Sequence, residues 1–262
     1  MSATIRCGYA GTASGQLHFR ECGNGEPLLL MHPAPHSSRV FTRLLRELGH
    51  LGGVRAVAVD LPGFGNSCAL EEGASMPSIA ATVLQAVDSL GLRRLDLFGL
   101  HSGNKVAAAL AAGFPMRVRR CVFAGMTHSL VIDTERRNAA MRDYVRDKPP
   151  ADPAQDPAAY RDEQIDVLTA PGNDALYAAN FAFDLASALA RVQAPSLIVE
   201  LAVPAEERLG RQADALCASM PNAQALQLQG DDSEWLQTRP GELAVILRLF
   251  LLRAGPGSSV SV

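Results

Sequence analysis

LDLFGLHSGNKVAAALAA, residues 95–112, is the stretch on which the fold turns. Leu95 to Gly99 form a short, mostly apolar run of the kind that makes a strand buried inside a sheet. Asn104 to Ala112 read as a helix, rich in alanine and bounded by polar residues. Between them Gly99 and Gly103 flank a strand-to-helix corner, where the absence of a Cβ permits close backbone approach. The backbone N–H groups that open the helix make a place for developing negative charge.

The same rhythm runs outward in both directions. Apolar runs recur at Pro27–Met31, Val54–Val59, Val118–Ala124 and Ser196–Val199, each bounded by turn residues. Helical patterns lie between them at Ser38–Leu48, Pro77–Leu90 and Glu206–Met220. This alternation predicts an α/β fold, a mostly parallel sheet with helices on both faces. The first 25 residues, broken by Gly-rich turns, predict an antiparallel hairpin.

About 70 residues separate Ala124 from Ser196, far more than one crossover needs. The stretch DKPPADPAQDPAAYRDE, residues 147–163, reads as a mobile connection. NDALYAANFAFDLASALARV, residues 173–192, reads as a helix, with Leu176, Tyr177, Phe181 and Leu185 at helical spacing. A helical lid inserted over the open edge of the sheet accounts for both. The expected division is a core over 1–125, a lid over 126–192, the rest of the core over 193–254, and a disordered tail over 255–262.

Composition narrows the function. At 48% hydrophobic and 19% charged, with a formal charge of −3, the 262 residues describe globular material without the basic stripe that binds nucleic acid. Five cysteines at irregular spacings contain no C-x-x-C, so zinc and disulfide exchange are not indicated. The start lacks a basic region followed by an apolar stretch, and no apolar run is long enough to span a bilayer. The expectation is a cytoplasmic protein that meets neither nucleic acid nor membrane and takes a small molecule. A homodimer is one option for its assembly.

In open α/β sheets ligands bind beyond the carboxyl ends of the strands. Three turns there stand out: His32-Pro33-Ala34-Pro35-His36-Ser37-Ser38, Asp60-Leu61-Pro62-Gly63-Phe64-Gly65-Asn66-Ser67, and Gly99-Leu100-His101-Ser102-Gly103. With the hairpin ahead of them and the lid behind, they resemble the α/β-hydrolase superfamily over nearly the whole chain. The resemblance implies a mostly parallel twisted sheet, a nucleophile elbow, an oxyanion hole and no cofactor.

The catalytic residues depart from that pattern. The family elbow reads G-x-S-x-G, and its apex here is His101. Ser102 stands one residue late; its N–H and that of Ala34 are the implied oxyanion donors, and its side chain is expected to point along the helix start. None of the six histidines lies in the C-terminal half, where the family carries its triad His. The matching turn offers Asp231, Asp232, Ser233 and Glu234, and the usual triad Asp after the seventh strand is replaced by Glu200 and Glu206. A Ser-His-Asp route is therefore not indicated.

An imidazole at the apex, tuned by Asp232 or Glu200, suits another chemistry. His101 would act as general acid and base on a small carbonyl, ester or lactone-like substrate, either by activating water or in a lyase or cyclase step. The competing readings are a ligand-binding protein without turnover, in which His101 fills space, and an esterase using Ser102. His32, His36, His128, Tyr177 and Phe181 are candidate substrate contacts, with structural alternatives for each: His32 as a backbone brace, His36 as an exposed polar residue, and the two rings as the packed face of a lid helix. Asp60 is expected to hold its turn. Lys105 is expected to reach solvent, a pocket-facing ammonium that binds an acidic substrate being the alternative. No metal signature is present.

Overall fold

The computed structural model describes residues 3–125, 154, 157–202, 211–230 and 234–253. Eight strands form one sheet: β1 (Arg6–Thr12), β2 (Gly15–Gly23), β3 (Gly25–Met31), β4 (Gly53–Val59), β5 (Leu95–Leu100), β6 (Val118–Ala124), β7 (Ser196–Ala202) and β8 (Ala223–Gln229). Their spatial order is β1-β2-β4-β3-β5-β6-β7-β8. β2 pairs antiparallel with β1 and β4, and every later pairing is parallel. The hairpin and the α/β core are thus as expected.

Alternation along the strands sorts side chains into two layers. Leu29, Met31, Val57, Val59 and Leu97 enter one cluster, while Leu28, Leu30, Ala56, Ala58 and Phe98 enter the other. Helices α2 (Met76–Ser89) and α3 (Ser102–Gly113) cover the first face. Helix α1 (Thr42–Leu51) covers the second, with the C-terminal helix Pro240–Leu251 packed beside it. Each buried Leu or Phe contributes about 1.5–3 kcal/mol, so both layers are needed to hold the sheet.

The register aligns the strand ends. Met31 pairs with Val59 and Gly99, and Ala124 with Leu100 and Val199. The carboxyl ends of β3, β4, β5, β6 and β7 therefore share one edge.

Among the described residues three further helices follow between β6 and β7: α4 (Pro157–Leu168), α5 (Asn173–Ala182) and α6 (Leu185–Ala190). They correct two expectations. Residues 157–163 are helical rather than part of a mobile connection, because Pro157 presets φ at the first helical position and alanines and acids propagate the turn. The pattern at 173–192 is two helices; the chain is extended at Phe183, and Asp184 accepts the Ser187 N–H at 3.0 Å to restart it. Residues 126–153 of the expected lid, the tail 255–262, and the first five residues of the expected helix Glu206–Met220 lie outside the described residues; of the rest of that helix, Ala213–Ser219 is helical and is α7. All five cysteines are free thiols. No described helix is long and apolar enough to cross a membrane.

Candidate active site

The turn after β3 is braced by His32. This ring is fully buried; its Nδ1 lies 2.9 Å from Pro33 O, and its Nε2 accepts the Leu61 N–H at 2.9 Å. A carbonyl only accepts, so the proton is on Nδ1 and the ring is neutral. Burial pushes its pKa below the ordinary histidine value. With both nitrogens committed to backbone, His32 offers no atom to a substrate and joins the ends of β3 and β4 instead.

Asp60 braces the second turn. Its carboxylate meets His18 Nδ1 at 2.9 Å and accepts the N–H groups of Ser38 at 2.7 Å and Asn66 at 3.0 Å. Burial alone would raise its pKa, but these partners hold it well below the usual carboxylate range.

The elbow lies between these turns and β6. His101 has φ 47° and ψ −111°, the one non-glycine residue with positive φ among those described. Gly99 and Gly103 make the corner possible: a Cβ on Gly99 would stand 2.8 Å from Asn104 backbone, and one on Gly103 would strike the Met31 carbonyl. The His101 N–H donates to Ala124 O at 3.1 Å. Its half-buried ring lies against Gly125, with Nδ1 3.2 Å from Gly125 O. A side chain at Gly125 would occupy the imidazole's place.

Ser102 is turned toward the first turn. Its Oγ accepts the Ala34 N–H at 2.7 Å, so that donor is occupied by the hydroxyl. Its side chain crosses to the neighbouring turn rather than running along the helix start. Glu200, at the end of β7, accepts the N–H groups of Gln212 at 2.6 Å and Ala213 at 3.2 Å through Oε1. It thereby caps α7, meeting orphan donors at a helix N-terminus.

Residues 26–162 match the family described as the alpha/beta hydrolase fold, which is more than half of the chain. The chain belongs to the α/β-hydrolase fold family. Among curated proteins it is similar to the 2-hydroxy-6-oxononadienedioate/2-hydroxy-6-oxononatrienedioate hydrolases of Klebsiella pneumoniae, at 29% identity, and of Escherichia coli, at 28%, over 114 residues. That stretch is 42% of this chain and 40% of each relative. Among solved structures it resembles an esterase from Exiguobacterium antarcticum, with a TM-score of 0.76 and 16% identity over 94% of this chain and 99% of that one. A bromoperoxidase from Bacillus anthracis gives 0.73 and 18% over 94% and 100%. These two likenesses concern the fold.

In this α/β-hydrolase-fold protein, helices α4 and α5 add further groups. Asp166 on α4 is buried; it accepts the Ser37 hydroxyl at 2.6 Å and N–H at 3.2 Å, with His36 Nδ1 3.6 Å and Arg39 Nε 3.6 Å away. Burial opposes its ionisation, yet His36 and Ser37 bring its pKa below the ordinary value. On α5, Tyr177 and Phe181 stack with ring centres 6.3 Å apart. Lys105 does not reach solvent: its Nζ is buried, donates to Asn180 O at 2.7 Å and lies 5.8 Å from the Phe181 ring centre.

The structure thus brings together Ala34 and Ser102, His36 and Asp166, and Lys105 with Phe181. Glu200 is engaged with α7; Asp232 and His128 lie outside the described residues. Asp166 was missed by sequence reasoning. It lies in a helix with Asp162 and Glu163, and nothing in that acidic pattern distinguishes the one carboxylate that the fold buries.

Proposed function

We propose that this protein is a cofactor-independent enzyme acting on a small carbonyl, ester or lactone-like substrate, with His101 as general acid and base. The backbone of His101 carries this reading. A non-glycine residue held in a sparsely populated conformation costs about 1–3 kcal/mol, and such strain clusters at functional sites. The contact between Nδ1 and Gly125 O supports a tautomer whose Nε2 is the basic nitrogen. The curated hydrolases of partial similarity are named for substrates with a 6-oxo group, which fits the carbonyl class.

In hydrolysis, Nε2 takes a proton from water while the water oxygen bonds to the carbonyl carbon. The Ser102 hydroxyl swings off the Ala34 N–H, the oxyanion is held there and by the Ser102 N–H, the bond to the leaving group breaks, and Nε2 returns the proton to it. In a lyase or cyclase step the same nitrogen takes a proton beside the carbonyl and the two N–H groups hold the enolate. Asp232 is the preferred carboxylate partner, because Glu200 already spends Oε1 on α7.

The Ser102 hydroxyl on Ala34 N–H favours a second reading, a ligand-binding protein whose oxyanion donor is satisfied internally. A panel of small esters and lactones tested on wild type, His101→Ala and Ser102→Ala separates them. The expected result is a loss of about 10²–10⁴-fold in His101→Ala, persistent turnover in Ser102→Ala, and no adduct on Ser102 with a serine-directed phosphonate. Unchanged turnover in His101→Ala overturns the proposal. Ligand binding without turnover in wild type establishes the binder, and a labelled, essential Ser102 establishes an esterase.

A further inference from the structure

Of the 24 basic residues only two are lysines, Lys105 and Lys148. Lys105 stands one helical turn past His101, in a helix whose residues Gly103–Ala111 are all buried. It is 5% exposed. An ammonium has three N–H donors, and the described residues give it one neutral carbonyl, Asn180 O, and the face of Phe181. No described carboxylate pairs with it. Buried charges are ordinarily paired, because leaving water costs several kcal/mol per ion. The first turn of α3 also presents the positive end of that helix dipole, which makes a cation there less favourable and an anion more so.

Capping the end of α5 explains only part of this. Asn180 O belongs to the last turn of that helix, and bonding it uses one N–H and leaves two. Asn180 supplies an independent observation: it is itself 5% exposed, and its side-chain Oδ1 has no hydrogen-bond partner among the described residues, an acceptor left for a donor on a ligand. Beside the pair, the stacked rings of Tyr177 and Phe181 offer an apolar wall. Burial pushes the ammonium down to about 8, so it stays mainly protonated at neutral pH.

We propose that Lys105, beside Phe181 of α5, forms a subsite for the carboxylate of a small, otherwise apolar acid that also carries a hydroxyl or N–H group for Asn180 Oδ1. Two Lys105 N–H groups take the carboxylate, and the Phe181 and Tyr177 rings cover the carbon skeleton. The subsite names the substrate class of the site described above and rests on that reading only in placing the ligand at the elbow under the lid helices. It does not require His101 to be the base.

Calorimetric titration of the full chain with phenylacetate and its neutral isostere phenylacetamide tests the subsite without turnover. Wild type should bind phenylacetate at least about tenfold tighter, the gain of 1.4 kcal/mol that one charge-assisted contact can supply. His101→Ala should keep that preference, and Lys105→Met and Lys105→Gln should abolish it while still binding phenylacetamide. Absence of the preference in wild type, or its survival in either folded Lys105 variant, overturns the subsite. A second measurement needs no variant: phenylacetate should protect Lys105, and not Lys148, from reductive methylation read by peptide mass spectrometry. Equal protection by phenylacetamide, or none by phenylacetate, is the overturning result. Unchanged turnover in His101→Ala with this preference intact overturns the His101 reading alone, and loss of turnover in His101→Ala with no preference in wild type overturns the subsite alone.

Discussion

At His101 two unusual backbones face each other. His101 itself has φ 47°, and Gly125, whose carbonyl meets the imidazole, has φ 66°. Each makes room for the other: a Cβ at Gly125 would fall on the ring, and an L-residue there would in addition be strained. Gly125→Ala should therefore destabilise the protein by about 1–3 kcal/mol and lower any His101-dependent turnover. Urea unfolding checks the first effect and the ester panel the second. The apex histidine was legible from the spacing of Gly99 and Gly103. The glycine that seats its ring was not, because it is 24 residues away and meets the elbow only through strand pairing.

Helices α4 and α5 are tied to the turns at the sheet edge. Asp166 carries one tie, taking both Ser37 donors, and Gly172 carries another, its N–H donating to Gly63 O at 2.9 Å with no room for a Cβ between the two glycines. Asp166→Ala leaves the buried Ser37 groups without their acceptor, and one such loss costs about 1–3 kcal/mol. Faster limited proteolysis in the 157–190 segment, with the core still resistant, is the expected readout. Because the folded pKa of Asp166 is lowered, its contribution is present above the ordinary carboxylate value of about 4 and is lost as pH falls through the folded value. The helical patterns of α5 and α6 could be read from the sequence. Their break could not, since the apolar spacing runs on across Phe183 and only the Asp184 cap interrupts it.

Across the molecule, the eight strands and two apolar layers make stability depend on a few buried ionisable groups. His32 is neutral in the fold, with its pKa lowered, so the unfolded chain binds a proton that the folded chain refuses. Stability should therefore decline as pH drops below about 6.5, and decline further below the ordinary carboxylate range as Asp60 and Asp166 are protonated. On the alkaline side the sign reverses for Lys105. Between about 8 and its ordinary value of 10.5 the unfolded chain holds the proton and the folded chain does not. Wild type should gain up to about 3 kcal/mol there relative to Lys105→Met. Urea midpoints of both proteins from pH 2 to 10.5 check all three limbs, and a flat difference between them at high pH would contradict the buried ammonium.

Local pattern sufficed for the strand order in the chain, the hairpin, the elbow and the three turns at one edge, because hydrophobic period and glycine placement act over a few residues. The assignment of each polar group depended on approach from distant segments. Ser102 spends its hydroxyl on Ala34, 68 residues away; Glu200 caps α7; Lys105 turns inward to α5; Asp166 leaves its acidic neighbours for the Ser37 turn. Charge, size and helix position look alike for a buried and a solvated carboxylate or ammonium in one dimension. Desolvation and the availability of donors distinguish them, and both come into being only when the chain closes on itself.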